Sequence, residues 1–436
     1  MKMRSPLLSP PAPDVHSYAL GEELVLFAES TRQLCRLNGT AALIWFSLVD
    51  GLGRDAIAEE LAAAYGIERD IALRDVGVAI AQWRALGLLR NGTVGSLNKA
   101  RPRRQQASDG ASKEEAGKTA TPSNVLPPAN GHTMPEALGI TSEYAIRACA
   151  RRSPKRWAAH HCYRLLDTCF QVRFANRALE NWIHPVLAHL ETADAGPAVR
   201  RITVTDEGTG YAVYYEGLPV ARCSALDEIA PLVNAEILVT AYSATDCLTA
   251  VHAAVVSDGA RGILLPATSG SGKSTLAAAL VASGLQYLSD EVALITRGTH
   301  SVRPVPVSLS TKIGAWPVLI PLYPSLPDLP VHRRQDGRTV RYLPPPPTAL
   351  PKDLSTALPI ACVVFPRYQA QAPTRLAALS PADGLCRIAE AGYDVNGGLT
   401  AARVAELVTW LRNIPCYQLT VGHLNDAIGE LKGLVG

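Results

Sequence analysis

The stretch from Ile263 to Ile295 constrains this chain of 436 residues more than any other, because it dictates an order of elements. It reads ILLPATSGSGKSTLAAALVASGLQYLSDEVALI: an apolar strand, a loop rich in Gly and Ser, a helix rich in Ala and Leu, and a second strand ending in two acids. The loop is therefore predicted to lie between a buried strand and a helix N-terminus. Unpaired backbone N–H groups and the positive end of the helix dipole meet there, and together they attract phosphate oxygens.

Each residue type in the loop suits phosphate binding. Gly270 and Gly272 let the backbone curl without a Cβ, Lys273 can reach the β and γ phosphates, and the Ser274 hydroxyl can ligate Mg²⁺. The pattern GxxxxGK[ST] has a glycine where this chain has Ala267, which fits there only with a negative φ. The alternative is a Gly- and Ser-rich turn that merely caps a helix. The pattern GSGKST between a strand and a helix is specific enough to disfavour it. We therefore predict binding of a nucleoside triphosphate, taken as ATP, with Mg²⁺, by Ser269, Gly270, Ser271, Gly272, Lys273, Ser274 and Thr275.

Two acids and an upstream histidine narrow the chemistry. Asp290 and Glu291 close the strand Leu285–Ser289; if that strand pairs beside the loop strand, one carboxylate lies at the metal and the other near the γ phosphate. One acid suffices for magnesium, so the second indicates a general base for an attacking hydroxyl. His252 lies on the apolar run Leu248–Val256, where a hydrogen-bonded core histidine is the plainer interpretation.

Together these residues resemble the HPr kinase/phosphorylase family, whose core carries a histidine, the phosphate loop and an acid pair. The spacing agrees as well, with 15 positions from His252 to Ala267 and 17 from Lys273 to Asp290. The resemblance implies an α/β P-loop kinase domain of the HPr kinase/phosphoenolpyruvate carboxykinase type over residues 140–436. It also implies that Asp290 is the catalytic base, that Glu291 supports the metal and that His252 orients the pair. The family usually has two aspartates, so Glu291 is a departure that bears on the metal geometry and on reverse phosphorolysis.

Downstream of the core, basic residues are weaker candidates. The segment Val302–Trp316 looks like the strand and loop that bring a lysine toward the phosphates in related kinases, which selects Lys312 and, more weakly, Arg303. The basic run Val331–Pro347 ends in four prolines, which must be extended, and we interpret it as a flap or acceptor-binding loop. Arg338 and Arg341 in this run are candidates for contact with an acceptor, although solvated surface charges would give the same pattern.

The N-terminal segment from Val15 to Arg90 has the pattern of a separate small α+β module, winged-helix-like in outline. Alternating residues over Leu24–Phe27 predict a strand, and two amphipathic stretches, Arg54–Tyr65 and Ile71–Leu86, predict helices. Asn38 and Thr40 are good N-cap residues for a helix between them. No helix in the module carries the cluster of Lys and Arg that binding in a DNA groove requires, so a winged-helix DNA reader is disfavoured.

This pattern resembles the PqqD-like peptide chaperones, the precursor-peptide recognition elements of ribosomal peptide modification. The shared features are a short β segment, the motif LNxTAxxIW, an acidic-Gly turn at Asp50 and Gly51, a helix with IAEELAAAYG and a closing helix that ends at Gly87–Leu89. The resemblance implies that a leader peptide adds a strand to the exposed edge of the sheet. We expect that edge at Leu24–Ala28, with the helix Val76–Leu86 beside it.

Two segments are predicted to be unstructured. Residues 1–14 are rich in proline, and residues 91–139 are rich in Ala, Ser, Pro, Gly, Lys and Arg, which predicts a flexible linker. Such a tether would let a bound peptide reach a distant site at high effective concentration. Residues 142–250 read as mixed helix and strand that lead into the nucleotide domain, and later segments predict a strand at Ile360–Phe365, helices at Pro381–Ala391 and Ala401–Leu411, and a strand at Tyr417–Val421.

Composition excludes several classes of protein. No run reaches the roughly 18 unbroken apolar residues of a membrane span, and the N-terminus is too proline-rich for a signal peptide. Nine cysteines without metal-binding spacing predict reduced thiols in a cytoplasmic protein. A formal net charge of +3 implies no nucleic-acid partner.

These observations predict an ATP-dependent kinase that phosphorylates a Ser or Thr hydroxyl of a ribosomally made precursor peptide held by its own N-terminal module. Two alternatives stay open at this stage. One is a small-molecule hydroxyl kinase or a carboxykinase-like enzyme with the same core, and the other is a nucleotide-gated peptide carrier without catalysis. The resemblance leaves homo-oligomer formation open.

Overall fold

A computed structural model describes residues 8–90, 124–125, 157–193, 196, 199–395 and 398–435. The chain divides into two compact units, the first containing residues 1–128 and 399–412 and the second containing residues 129–398 and 413–436. The backbone therefore passes between the units three times. This division differs from the predicted continuous domain at 140–436, because residues 399–412 group with the N-terminal unit. The predictions for residues 1–7 and for most of the linker lie outside the described residues.

The first unit contains a small antiparallel sheet and a set of helices. Its elements before residue 129 are β1 (Val15–Leu20), β2 (Glu23–Ala28), β3 (Gln33–Leu37), α1 (Gly39–Val49), α2 (Arg54–Tyr65), α3 (Arg69–Ala85) and β4 (Asn124–Val125). The strand order is β1-β2-β3-β4, and every neighbouring pair is antiparallel. The module is thus α+β, as the sequence predicts.

Local sequence explains the helix ends in this unit. The Asn38 side chain accepts a hydrogen bond from the Ala41 N–H at 2.9 Å and so caps α1, as predicted, whereas Thr40 lies inside the helix. Helix α2 has the predicted bounds and ends at Gly66, whose φ of +65° belongs to the left-handed region that favours glycine. Trp45 and Trp83 pack edge to face at 5.1 Å between ring centroids in the centre of the core.

Two predictions for this unit are wrong. Leu24–Ala28 is not an edge, because β2 pairs with β1 on one side and with β3 on the other. The N-terminal segment is not disordered over residues 10–12, since the Ala12 N–H donates to the Leu88 carbonyl at 2.9 Å and the Arg90 N–H donates to the Pro10 carbonyl at 2.9 Å. Sequence patterns report which face of a strand is buried but not which strands flank it.

The remaining elements follow residue 156. They are, in chain order, β5 (Ala159–Leu165), β6 (Thr168–Phe174), α4 (Arg177–Leu187), β7 (Val199–Asp206), β8 (Tyr211–Tyr215), β9 (Leu218–Cys223), α5 (Ile229–Ser243), β10 (Thr249–Val251), β11 (Ala253–Ser257), β12 (Gly262–Pro266), α6 (Lys273–Ala282), β13 (Gln286–Ser289), β14 (Ala293–Ile295), β15 (Ser301–Arg303), β16 (Leu309–Lys312), α7 (Trp316–Leu319), β17 (His332–Arg333), β18 (Thr339–Leu343), β19 (Leu358–Tyr368), β20 (Arg375–Leu379), α8 (Pro381–Ala391), β21 (Tyr393–Asp394), α9 (Ala401–Asn413), β22 (Cys416–Val421) and α10 (Leu424–Lys432).

Helix α9 contacts the edge strand of the first unit. The Tyr18 hydroxyl donates to the Ala401 carbonyl at 2.8 Å, and the Arg412 guanidinium donates to the Ala19 carbonyl. A backbone carbonyl on the outer side of β1 is therefore already satisfied by a side chain from α9.

The second unit is built on a large mixed sheet and two smaller ones. The large sheet has the order β13-β11-β12-β19-β15-β14-β10-β21, with β22 joined to β19 and β20. The smaller sheets have the orders β5-β6-β7-β8-β9 and β16-β18-β17. Helix α6 packs into a buried cluster with Ile263, Leu265 and Tyr287, which fixes the phosphate loop at the end of β12. The architecture is mixed α/β.

One pairing differs from expectation and matters for the site. The acid strand β13 does not pair beside the loop strand β12; it pairs antiparallel with β11, and β11 separates the two. On its other side, β12 pairs in parallel with β19. The acids therefore approach the loop across one intervening strand.

A histidine between two carboxylates lies in the five-stranded sheet. His161 contacts Glu191 through Nδ1 at 2.6 Å and Glu180 through Nε2 at 2.9 Å. A carboxylate only accepts hydrogen bonds, so both ring nitrogens must carry a proton. Burial lowers the pKa of His161, but the hydrogen bonds to the two glutamates outweigh it and raise the pKa above 6.5. The ring of His184 stacks on His161 at 4.1 Å, and burial lowers the pKa of His184.

The charged His161 makes stability dependent on pH. Because its pKa is raised on folding, the contribution is complete below about pH 6.5 and is lost as pH rises through the raised pKa. We expect His161→Gln to lower Tm by about 2–4 °C more at pH 6 than at pH 9, which corresponds to about 1 kcal/mol. Thermal melts of the variant and of His160→Gln, an exposed neighbour on β5, test this. Equal penalties for His161→Gln at both pH values would contradict it.

The structure tests the predictions about membrane spans and cysteines only over the described residues. Among the described residues, no helix combines the length and apolar character that crossing a bilayer requires. The eight cysteines in the described ranges form no disulfide with one another, and five of them are buried. A cytoplasmic location stays a prediction.

Candidate functional site

The phosphate loop has the backbone form that its sequence predicts. Gly270 and Gly272 have φ values of +94° and +89°, in the region that favours glycine. Ala267 is not among the residues with positive φ, so alanine is compatible with the first loop position. Helix α6 begins at Lys273, which directs its first N–H groups into the loop. The Tyr368 N–H at the end of β19 donates to the Ser271 carbonyl at 3.0 Å and holds the loop from outside.

His252 and Lys273 form a buried pair at the base of the loop. The Lys273 Nζ donates to His252 Nε2 at 3.1 Å, and His252 Nδ1 donates to the Glu291 carbonyl at 2.9 Å. The ring is therefore neutral, and burial together with the Lys273 charge lowers its pKa well below 6.5. Burial also lowers the pKa of Lys273, while Asp290 and Glu291 oppose that shift. The predicted histidine is a buried, hydrogen-bonded residue that also positions the loop lysine.

Asp290 is fully buried beside the loop. Its Oδ2 accepts from the Ser310 N–H at 3.3 Å, and the Ser274 hydroxyl is close enough to lower its pKa. Burial nevertheless raises the pKa of Asp290, and the ammonium of Lys273 opposes burial. Within the described residues, Oδ1 makes no hydrogen bond at normal distance. A buried carboxylate oxygen without a partner is costly unless a cation or a proton donor meets it.

Glu291 is paired with an arginine that the sequence analysis did not select. The Arg334 Nη1 lies 3.2 Å from Glu291 Oε1 and 3.4 Å from Ser310 Oγ, and Arg334 is 7% exposed. Burial lowers the pKa of Arg334, but Glu291 and other acids raise it above its usual value. The sequence alone gives no signal for Arg334, because its burial, shared with His332 but not with Arg333, is known only from the fold.

Lys312 lies at the phosphate loop, as the resemblance implies. Its Nζ donates to the Ser269 Oγ at 2.8 Å, and burial lowers its pKa, with further lowering by the nearby Arg338. The other basic candidates are engaged in other contacts. Arg338 pairs with Asp336 at 3.1 Å, Arg341 donates to the Leu326 carbonyl at 3.1 Å and stacks over Trp316, and Arg303 pairs with Asp167 at 2.7 Å.

Removing the Lys312 charge is expected to weaken nucleotide binding. A charge-assisted hydrogen bond contributes about 1.5–3 kcal/mol, so Lys312→Met should raise the KM for ATP, the predicted nucleotide, about 10- to 100-fold. Lys352→Met, at an exposed lysine, serves as the matched control. Steady-state kinetics with varied ATP give the values, and an unchanged KM in Lys312→Met would show that the lysine does not reach the phosphates.

The residues around Asp290 fit a magnesium ion. Mg²⁺ prefers oxygen ligands and keeps several waters. The Ser274 hydroxyl lies at the Asp290 carboxyl, and both groups offer oxygens of the required kind. Glu291, predicted as a third ligand, contacts Arg334 here, and its part at the metal stays a prediction.

The first unit offers two surfaces of the kind that bind peptides. One is the outer side of β3, which pairs with β4 only at Cys35 and Arg36. The other is the outer face of α3, where Leu73, Gly77 and Val78 line an open groove of about 610 Å³ with Arg54 from α2. The predicted helix surface Val76–Leu86 overlaps this groove, although Val76 itself is buried in the core.

Comparisons with known proteins concern the first unit. The family described as Coenzyme PQQ synthesis protein D (PqqD) matches residues 23–89, so this segment is a PqqD-like domain. A solved structure described as TbiB1 in complex with the TbiA(beta) leader peptide is similar over 20% of this chain and 99% of its own, at 22% identity and a TM-score of 0.19. No curated protein is significantly similar to the chain.

Proposed function

With a PqqD-like domain at residues 23–89 as the premise, we propose that this protein is a peptide kinase that carries its own substrate-recognition module. It transfers the γ-phosphoryl group of ATP to a Ser or Thr hydroxyl of a ribosomally made precursor peptide. The observation that carries the kinase assignment is the buried Asp290 carboxylate, with one oxygen free, beside Ser274 of a phosphate loop.

Each group at the site has a part in this reaction. The loop N–H groups, Lys273 and Lys312 hold the phosphates and offset the charge that develops on them. Asp290 accepts the proton of the acceptor hydroxyl, whose oxygen forms a bond to the γ phosphorus while the bond to the β–γ bridging oxygen breaks. The proton ends on Asp290 and ADP leaves. Burial, by raising the pKa of Asp290, makes its carboxylate a stronger base for this step.

Positioning depends on the buried partners of these groups. His252 holds the Lys273 ammonium at 3.1 Å and is itself fixed by the Glu291 carbonyl, so the lysine is held in place before nucleotide binds. Arg334 balances Glu291 at 3.2 Å. Mg²⁺, held by Ser274 and Asp290, would supply charge neutralisation at the β and γ phosphates.

Peptide capture is proposed for the edge of β3. PqqD-like domains are an expected site of β-augmentation, in which an extended peptide adds a strand and its backbone groups supply the hydrogen bonds. β2 is internal to the sheet, and on β1 the Ala19 carbonyl already accepts from Arg412. Because helix α9 contacts β1 and β4 pairs with only two of the five residues of β3, β3 is the strand proposed for the leader peptide.

The experiment compares substrates rather than truncated enzymes. Full-length protein, γ-labelled ATP and Mg²⁺ are incubated with the precursor peptide encoded beside this gene, or with the same peptide lacking its leader. We expect label on the full precursor and at least about 10-fold less on the leaderless peptide at low concentration, because a tethered acceptor has a high effective concentration. Equal labelling would remove the recognition role, and turnover only on free hydroxy metabolites would favour a small-molecule kinase.

A further inference from the structure

The two-residue strand β4 occupies the edge that an incoming peptide needs. Asn124 and Val125 pair antiparallel with Arg36 and Cys35. β3 spans Gln33–Leu37, so β4 covers only part of its length. β4 lies in the stretch between the two predicted domains, well after the module's last helix, α3. A segment of the chain itself therefore holds part of the surface proposed for the leader.

The linker sequence sets this segment apart independently of the pairing. Val125 and Leu126 are the only two adjacent large apolar residues in residues 91–139. Prolines at 122, 127 and 128 surround them, and proline has no N–H to donate to a ladder. These prolines limit the N–H donors on either side of β4, so the segment cannot pair along all of β3.

We propose that residues 124–125 are an intramolecular competitor, which holds the edge of β3 until an extended peptide displaces it. The inference rests on the proposed capture of a leader peptide by the first unit. A tethered segment competes at an effective concentration of the order of mM, which suppresses weak and short peptides. A peptide that pairs with all five residues of β3 makes more ladder hydrogen bonds than β4 does, and so it replaces β4.

The ligand class follows from the same geometry. The peptide must be extended over at least five residues and must carry no proline where β3 needs a donor. A short or proline-interrupted peptide gains too few hydrogen bonds to displace the internal strand. Competition of this kind sets a threshold for peptide length without any contact at the kinase site.

The first test asks whether β4 protects β3 in the full-length protein. In an antiparallel ladder, only one of two consecutive residues directs its N–H at the adjacent strand. The variant therefore carries both substitutions, Asn124→Pro and Val125→Pro. Thr93→Pro with Val94→Pro, elsewhere in the linker, is the matched control. By hydrogen exchange with mass spectrometry, amides of residues 33–37 are expected to exchange at least about threefold faster in the 124–125 variant than in wild type or control. Equal rates would overturn the proposal.

The second test measures competition with a defined probe. A fluorescein-labelled synthetic peptide of residues 119–130 is titrated into the same three proteins, with fluorescence anisotropy as the readout. We expect an apparent Kd at least about threefold lower for the 124–125 variant, because the internal segment no longer competes. Equal affinities, or absence of binding to the variant, would overturn the proposal. Neither test measures phosphoryl transfer, so failure of the kinase assignment is seen separately.

Discussion

Replacing Asp290 with asparagine is expected to lower phosphoryl transfer by about 10³-fold. General base catalysis contributes about 10²–10⁴-fold, and asparagine keeps the size of the side chain while it cannot accept the hydroxyl proton. The loop and Lys273 are unchanged, so nucleotide binding should persist. Transfer is measured with labelled ATP, and binding is measured with a fluorescent ATP analogue in the same preparation.

The control for this variant is Asp258→Asn, an exposed aspartate in the turn between β11 and β12. It should leave both rate and binding as in wild type. If Asp290→Asn transfers phosphate at the wild-type rate, Asp290 is not the base. If the variant also loses nucleotide binding, the main role of Asp290 is to hold the metal and the phosphate loop.

Replacing Arg334 with methionine is expected to have the largest effect on stability among the site variants. Methionine fills similar volume but leaves the Glu291 carboxylate without its partner at 3.2 Å in a buried place. Removal of one member of a buried ion pair costs about 3–5 kcal/mol. The free energy of unfolding should fall by about that much, and transfer should fall with it because Glu291 lies beside Asp290. Urea denaturation and the labelled-ATP assay provide the two measurements.

Two companion variants separate charge from packing. Arg333→Met removes a 48% exposed arginine that pairs with Glu228 at 3.2 Å, and it should cost less than about 1 kcal/mol. Combining Arg334→Met with Glu291→Gln removes both charges and should recover part of the lost stability. No recovery would mean that the guanidinium acts through its other contacts, such as Ser310.

Where the structure follows the sequence, the reason is local chemistry. The bounds of α2 and α8 agree with prediction because the apolar period and a terminal glycine, Gly66 or Gly392, lie in or next to each helix, and Ser380 also caps α8. The phosphate loop agrees for the same reason, since Gly270 and Gly272 must adopt positive φ in that turn. The PqqD-like module was also identified from its own residues, and the family match at 23–89 confirms it.

Where the structure departs from the sequence, the cause is long-range pairing. Nothing local in β13 shows that it joins β11 rather than β12, and nothing in β2 shows that it has a neighbour on each side. Likewise, several arginines follow His332, and only the fold decides that Arg334 enters the site while Arg341 lies over Trp316. The kinase chemistry of Asp290 and Glu291 stays a prediction from resemblance and geometry.

The backbone passes between the two units three times, which limits the segments that can be deleted or exchanged. Helix α9 comes from a late part of the chain, yet Arg412 and Ala401 bind to β1 near its beginning. A gene fusion that exchanges the first 138 residues for another recognition module would leave α9 facing a foreign strand. For the proposed capture of a leader peptide, substitutions on β3 and α3 are therefore a better route to new specificity than exchange of the whole module.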